Sequence, residues 1–193
     1  MLKSLSVLLG YNGCEIEAEQ ARPSLLKKTD KIDKEEDSMS QIDARLQELG
    51  LSLPTPPKPV AAYVPAVLHQ GLLYISGQLP MVDGQLSCTG HVGQDVSLEA
   101  AQAAARVCTL NALAIAKDVL GDLDRIARIV KVGGFVSSAA DFTDQPKVIN
   151  GCSELLGEIF GEAGRHARAA VGVNALPLGA AVEIEFVIAV AEA

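Results

Sequence analysis

The segment RHARAAVGVNALPLGAAVEIEF, residues 165–186, decides the fold because it predicts two β-strands joined by a short turn. Small and branched aliphatic residues alternate on both sides of LPLG, and a period of two is typical of strands. The predicted strands cover residues 168–176 and 181–191. Each contains one charged side chain, Arg168 or Glu183, in a segment that otherwise suits burial.

Side chains of a strand point alternately to its two faces, so each predicted strand divides into two sets. On the face under the helices we expect Val182, Ile184, Phe186, Ile188 and Val190 of the last strand, and Ala169, Val171, Val173 and Ala175 of the strand before it. Arg168 and Glu183 would then both project from the uncovered face. Val187 and Ala189 on that face also need an apolar cover. Another copy of the chain can supply it, which predicts an oligomer interface with a pocket at its polar end.

Three further strands are predicted upstream. PTPPKPV, residues 54–60, runs extended into the first of them, because its prolines exclude a helix. LLYISGQLP, residues 72–80, is rich in β-forming residues, and RIARIVKVGGFVSS, residues 125–138, has the same character. Asp83-Gly84, between the second strand and the following helix, predicts a tight hairpin turn.

Two long helices are predicted from their capping residues and apolar spacing. Ser97 caps the first, which Gly121 ends, and the second runs from about Gln145 to Phe160 with Pro146 in its first turn. The inward positions are Leu98, Ala101, Ala105, Cys108, Ala112, Ile115 and Val119 in the first helix, and Val148, Cys152, Leu155, Leu156 and Ile159 in the second. The order β-β-α-β-α-β-β favours an α+β fold in which both helices cover one face of a mixed sheet.

The first 38 residues differ in composition from the rest. They include a charged run, LLKKTDKIDKEEDS, without an apolar face, so we expect residues 1–38 to be a disordered or dispensable extension and residues 39–193 to form a single domain. Three glutamates at residues 15–19 argue against a mitochondrial presequence, which makes organelle targeting the minority interpretation. Ser40 caps a short helix with apolar residues on one side: Ile42, Leu46 and Leu49.

Composition argues against several classes of function. The 193 residues are 49% hydrophobic and 4% aromatic, which is ordinary for a cytoplasmic globular protein. A net charge of −8 without a basic stripe argues against nucleic-acid binding. No segment approaches the run of about 18 apolar residues that spans a membrane. The four cysteines and three histidines lack metal-ligand spacing, so we expect free thiols and no metal site.

Arg168 and Glu183 are the candidate site residues. A guanidinium in a confined pocket suits a small carboxylate, because its planar fork donates two parallel hydrogen bonds to the two oxygens. An alternative stays equally open, in which Arg168 only pairs with Glu183 or Glu185 across neighbouring strands. Other positions have ordinary structural interpretations: Gly77 as a turn residue, Tyr63 at the edge of the core, Asn150 on an exposed helix position, and Arg165 and His166 in a loop.

Taken together, these segments resemble the RidA family, the reactive-intermediate deaminases, also called the YjgF family and formerly endoribonuclease L-PSP. The resemblance runs from about Pro59 to Ala191. ARAAVGVNALPLGAAVEIE, residues 167–185, resembles the family signature. LLYISGQLP is similar to the strand-to-turn segment of the family, and FVSSAADF together with VIN is similar to segments in the middle of the family's sequences.

The resemblance implies a chorismate-mutase-like fold assembled as a homotrimer with clefts between subunits. It implies hydrolytic deamination of 2-imino acids, such as 2-iminopropanoate or 2-iminobutanoate, to 2-keto acids and ammonia without a cofactor. By motif position, Arg168 matches the carboxylate-binding arginine and Glu183 the water-positioning glutamate. The matching pocket positions are Tyr63, Gly77, Asn150 and Ala170. Ala170 stands where many members have cysteine, which bears on substrate preference.

Three other functions stay open from the residues alone. A non-catalytic, regulatory trimer of the same fold would use Arg168 to bind a small carboxylate, and ammonia release from a freshly generated imine would discriminate it from the enzyme. A ribonuclease is disfavoured by the acidic charge and the lack of a histidine pair. A chorismate-mutase-like isomerase would need several cations around a dicarboxylate, for which Arg168 and Arg165 are the candidates.

Overall fold

The structure is a computed structural model that describes residues 39–56 and 63–191; the extension, residues 1–38, and most of PTPPKPV lie outside the described residues. The helices and strands follow in the order α1 (Gln41–Glu48), β1 (Ala66–His69), β2 (Leu72–Gln78), β3 (Met81–Val82), β4 (Gln85–Leu86), α2 (Leu98–Leu120), β5 (Ile126–Ser137), α3 (Gln145–Phe160), β6 (Ala167–Val173) and β7 (Val182–Val190). Short 3-10 turns lie at Leu123–Arg125, Gly161–Gly164 and Pro177–Gly179.

Five of the strands form one mixed sheet in the order β1-β2-β7-β5-β6. β5 pairs antiparallel with β7 on one side and parallel with β6 on the other, and the remaining neighbours are antiparallel. β3 and β4 form a separate hairpin, as Asp83-Gly84 predicts. Both turn residues are in the left-handed region, with φ of 50° and 78°, which is the geometry of a two-residue hairpin turn.

The helices α2 and α3 lie side by side on one face of the sheet. Ser97 Oγ accepts a hydrogen bond from the Ala100 N–H at 3.2 Å, as its predicted capping role requires. All five predicted inward positions of α3 are buried. In α2 the last predicted inward position, Val119, is wrong, because Val119 is 41% exposed and Leu120 is buried instead. The predicted positions repeat about every 3.5 residues, whereas the helix repeats every 3.6, so the buried stripe has drifted past Val119 after three heptads.

The short helix α1 packs outside the other two, as part of the same domain. Ser40 Oγ caps it, and the Asp124 carboxylate accepts hydrogen bonds from the main-chain N–H groups of the first turn at 2.8 Å. Asp43 forms an ion pair with Lys117 of α2 at 2.6 Å. Leu46 is buried against the core. The predicted capped helix after residue 39 is therefore confirmed.

Glycines allow α3 to approach both of its neighbours closely. A Cβ at Gly151 would overlap the main-chain carbonyl of Gln102 on α2. A Cβ at Gly134 of β5 would lie 2.5 Å from Ile149 Cγ1 on α3. A separation below 3.0 Å forces a shift of the neighbouring atoms. The position of α3 over β5 and β6 therefore depends on residues without side chains.

Two glycines of α3 provide a matched test of this close approach. Gly151→Ala should lower the free energy of unfolding by about 1–3 kcal/mol, because the new methyl group meets a backbone carbonyl that cannot rotate away. Gly157→Ala meets no atom within 4 Å. It should raise stability by about 0.5–1 kcal/mol through its higher helix propensity. Urea denaturation of both variants measures the difference, and equal effects would contradict the packing of α2 against α3.

Candidate functional site

Arg168 lies on β6, an edge strand, opposite Val132 of β5. Paired residues of neighbouring strands share a face, and Val132 is buried under the helices, so Arg168 is on the helix-covered side. Arg168 Nη1 donates to Asn150 Oδ1 at 2.9 Å and to Ser153 Oγ at 3.0 Å, both on α3. In the part of the chain that the structure describes, Arg168 Nε and Nη2 have no hydrogen-bond acceptor. The guanidinium is thus anchored by one nitrogen.

The predicted faces of β7 are confirmed, but those of β6 are inverted. A Cβ at Gly172 would lie 2.8 Å from Gln145 Nε2 and 2.9 Å from Ser138 Oγ, so these two side chains already fill the helix side of β6 at this position. The larger side chains of β6 point to the open face instead, where Val171 is 46% exposed. The residues on the helix side are Arg168, Ala170 and Gly172, rather than the predicted Ala169, Val171, Val173 and Ala175.

Glu183 lies on β7 and points to the open face, opposite Phe135 of β5. Its carboxylate lies over Gly77, where a Cβ would overlap Glu183 Oε1 and lie 2.8 Å from Cδ. A side chain at position 77 would therefore displace the Glu183 carboxylate from this place. Burial, with the neighbouring Glu185 charge as the second cause, raises the pKa of Glu183.

Arg168 and Glu183 are not neighbours within one chain. β5 lies between their strands, and Arg168 is in register with Val132 whereas Glu183 is in register with Phe135. Strand geometry then separates their Cα atoms by about 10 Å along the strands and about 10 Å across them. Among the described residues, Arg168 forms no ion pair. The alternative of a cross-strand pair with Glu183 or Glu185 is therefore wrong for the single chain.

The candidate residues fall into two groups on opposite sides of the sheet. The arginine group consists of Arg168, Asn150 and Ala170. The glutamate group consists of Glu183 and Gly77. Tyr63 is 58% exposed and precedes Val64, whose carbonyl accepts a hydrogen bond from the hydroxyl of Ser76, the residue before Gly77. The fold brings each group together but does not bring the two groups into one site within a chain.

The sequence analysis did not predict two contacts of the arginine group. Ser153 anchors Arg168, and His166, interpreted as a loop residue, lies with Nε2 3.0 Å from Ser153 Oγ. Ser153 follows Asn150 by three residues, so their shared helix face was a usable signal. His166 carries no comparable signal, since its place depends on the Gly161–Gly164 turn. A cavity of about 400 Å³ is lined by Ser153, Gly157, Gly164, Arg165, His166 and Arg168.

The described residues contain no group of three or more His, Cys, Asp or Glu side chains that could hold a metal ion. Cys88, Cys108 and Cys152 are free thiols. Burial raises the pKa of Cys152 to about 12 and also raises that of Cys108, so these two thiols are poor nucleophiles. Across residues 39–56 and 63–191, no helix has the length and apolar character to cross a membrane.

Comparison with known proteins places the chain in a family. Residues 43–190 match the family described as "YjgF/chorismate_mutase-like, putative endoribonuclease". The chain therefore belongs to the YjgF family, also called the RidA family. This membership, with two helices on one face of a mixed sheet, confirms the predicted chorismate-mutase-like fold.

Three relatives illustrate the similarity. Protein TCP17 of Trypanosoma cruzi is 46% identical over 146 residues, which cover 75% of this chain and 91% of that protein. RutC family protein y4sK of Sinorhizobium fredii (strain NBRC 101917 / NGR234) is 34% identical over 132 residues, 68% of this chain and 90% of that protein. The crystal structure of Atu1372 from Agrobacterium tumefaciens, a protein of unknown function, has a TM-score of 0.74 and 48% identity, and the match covers 78% of this chain and 93% of that one.

The difference in the free energy of unfolding between Glu183→Gln and wild type should increase in favour of the variant as the pH rises. The pKa of Glu183 is raised in the folded state, so its ionisation costs folding free energy once the pH exceeds the unfolded-state value. At about pH 3 both states are protonated, and the variant and wild type should unfold at similar denaturant concentrations. At about pH 8 the variant should be the more stable. Glu154→Gln, at an exposed position of α3, is the matched control. A difference in stability between Glu183→Gln and wild type that does not change with pH would contradict the expectation.

Proposed function

We propose that this protein hydrolyses small 2-imino acids to 2-keto acids and ammonia, with Arg168 binding the carboxylate and Glu183 activating the water. The observation that carries the proposal is the anchoring of Arg168. Asn150 and Ser153 engage only Nη1, which leaves the Nε and Nη2 edge for two parallel hydrogen bonds to a carboxylate. Membership in the RidA family supports the imine as the reacting group.

The proposed chemistry needs one carboxylate that both takes and returns a proton. Water oxygen bonds to the imine carbon, Glu183 accepts the water proton, and the C=N electron pair moves to nitrogen. Nitrogen takes this proton back from Glu183 to give the carbinolamine. A second proton then moves from the hydroxyl oxygen to nitrogen through the same carboxylate. The C–N bond breaks, a C=O bond forms and ammonia leaves. A raised pKa suits Glu183 to this double role, because efficient acid–base groups titrate near the working pH.

We further propose that each site forms between two copies of the chain. The arginine group and the glutamate group lie on opposite sides of one sheet, so a substrate held by Arg168 of one copy meets Glu183 of its neighbour. The open face of the sheet supports this arrangement, because it exposes apolar side chains that another copy would cover: Val67, Tyr74 and Val171. A closed ring of three copies would hold three such sites.

The remaining candidate residues have supporting roles in the proposed site. Gly77 leaves the space that the Glu183 carboxylate fills, and the main chain beside it can receive the imine nitrogen. Ala170 lies two residues from Arg168 on the same side of β6 and adds little bulk where the substrate would lie. Tyr63 is exposed and precedes Val64, which is hydrogen-bonded to Ser76, and it is available to border the substrate. No cofactor takes part. Ribonuclease activity is less well supported, since a net charge of −8 repels a nucleic acid.

Substitution of the two charged residues tests the proposed roles. Arg168→Lys keeps the charge but loses the parallel fork, so kcat/KM for 2-iminobutanoate should fall about 100-fold. Glu183→Gln should lower kcat by a factor of about 100 or more while the product 2-oxobutanoate still binds. The imine is generated with threonine dehydratase, and its decay and the ammonia released are measured. If Arg168→Lys hydrolyses 2-iminobutanoate at the wild-type rate, the proposed binding of the carboxylate by Arg168 is overturned. If wild type binds 2-oxobutanoate but does not hydrolyse the imine, the regulatory, non-catalytic function is indicated.

Mixing the two inactive variants tests whether the site is shared. After unfolding and joint refolding of Arg168→Lys and Glu183→Gln in equal amounts, a subunit with intact Arg168 can face one with intact Glu183. About a quarter of the sites in randomly assembled rings should then be complete, and about a quarter of wild-type activity should return. Each variant refolded alone is the control. Mixed oligomers without recovered activity would show that both residues act within one subunit.

A further inference from the structure

Arg168 belongs to a network of polar groups that connects β6, α3 and the turn before β6. Arg168 Nη1 donates to Ser153 Oγ at 3.0 Å. Ser153 Oγ lies 3.0 Å from His166 Nε2, and His166 Nδ1 lies 2.6 Å from the main-chain carbonyl oxygen of Gly164. The chemistry proposed above uses neither Ser153 nor His166, so the network needs its own explanation.

The direction of each hydrogen bond follows from the groups involved. A carbonyl oxygen only accepts, so His166 Nδ1 carries the ring proton and donates it to Gly164. In the neutral ring Nε2 then accepts, and the Ser153 hydroxyl is its donor. Because the hydroxyl proton points to His166, the Ser153 oxygen presents a lone pair to Arg168. Burial lowers the pKa of His166, the hydrogen bond to Gly164 opposes this and the Arg168 charge adds to it, and the net lowering favours the neutral ring that this pattern requires.

The network determines which edge of the guanidinium is available. Asn150 Oδ1 is the second acceptor of Nη1, at 2.9 Å, so the two acceptors use both N–H groups of that nitrogen and fix the guanidinium plane. The remaining parallel N–H pair is that of Nε and Nη2, which is the geometry that binds both oxygens of a carboxylate. Without the Ser153 contact, Asn150 alone would leave the plane free to rotate about a single hydrogen bond.

We propose that Ser153 and His166 are positioning residues that hold Arg168 with its Nε–Nη2 edge toward the substrate carboxylate. His166 directs the Ser153 hydroxyl proton, and Ser153 in turn fixes Arg168 Nη1. The inference rests on the proposed function for the identity of the ligand. The network itself is present without a ligand, so it can be tested separately from turnover.

Titration of His166 in the ligand-free protein tests the network. Of the charged side chains on the neighbouring elements, Arg165 pairs with Glu162 and Arg106 with Glu158, whereas Glu154 of α3 and Lys131 of β5 form no ion pair among the described residues. The charge that acts on the His166 ring is that of Arg168, which Ser153 Oγ connects to it. Removing the positive charge in Arg168→Gln should therefore raise the pKa of His166. Proton NMR of the imidazole Cε1–H measures it, with the signal assigned by its loss in His166→Gln.

Lys147→Gln is the matched control for the titration, since it removes an exposed cation of α3 that pairs with Asp144. It should leave the pKa of His166 unchanged. A pKa of His166 that is equal in wild type and Arg168→Gln would overturn the inference, because the ring would then not sense the arginine that it is proposed to position.

The affinity for 2-oxobutanoate, measured by isothermal titration calorimetry near neutral pH, tests the positioning role. Ser153→Ala should weaken binding about tenfold through the loss of one anchor of the guanidinium. Ser153→Thr retains the hydroxyl and should bind within about twofold of wild type. Ser87→Ala is the control, because it removes a serine hydroxyl that donates to the Pro80 carbonyl at the β3–β4 hairpin. Circular dichroism and thermal melting establish that each variant is folded.

The outcomes separate the positioning role from the proposed function. If wild type binds 2-oxobutanoate and Ser153→Ala binds it equally well, the positioning role is overturned while Arg168 keeps its proposed role as the carboxylate clamp. If wild type does not bind 2-oxobutanoate, the carboxylate site itself is overturned, and both proposals fail together. Weak binding by Ser153→Ala that is restored in Ser153→Thr supports the inference.

Discussion

The position of β5 between β7 and β6 is the constraint on which the rest of the site depends. β5 pairs antiparallel with β7 and parallel with β6, so the strands that carry Glu183 and Arg168 are separated by a full strand. The parallel pair needs a crossover, and α3 provides it between β5 and β6. Because α3 packs against β6, the edge strand that follows it in the chain, Asn150 and Ser153 reach Arg168.

Much of this fold could be predicted from local sequence signals. Ser97, Pro146 and the apolar spacing fix α2 and α3, and the Asp83-Gly84 pair fixes a hairpin, because capping and turn geometry are decided by a few neighbouring atoms. The faces of β7 were predictable too, since a strand with one strongly apolar set has only one set to bury.

The face of β6 was not predictable from side-chain size alone. The rule that bulkier residues lie under the helices fails there because the side chains of Gln145 and Ser138 already fill the space beside Gly172 on the helix side. The close packing of α3 on β5 and α2 also depends on glycines of other elements, Gly134 and Gly151, and no local pattern in β6 indicates it. The place of His166 depends on the Gly161–Gly164 turn and became visible only with the structure, whereas the helix face that Ser153 shares with Asn150 was a signal in the sequence.

The separation of the two charged residues also has an electrostatic consequence. A cross-strand contact between Arg168 and Glu183 would hold the pKa of the glutamate down and occupy the guanidinium edge that a carboxylate needs. On opposite sides of the sheet, burial instead keeps the pKa of Glu183 raised, and Arg168 is held by the neutral acceptors Asn150 and Ser153. In the proposed shared site, the carboxylate of the bound substrate pairs with the arginine and offsets its charge, which reduces its effect on the glutamate of the neighbouring copy. The base therefore keeps the proton affinity that general-base catalysis requires, even though a cation belongs to the same site.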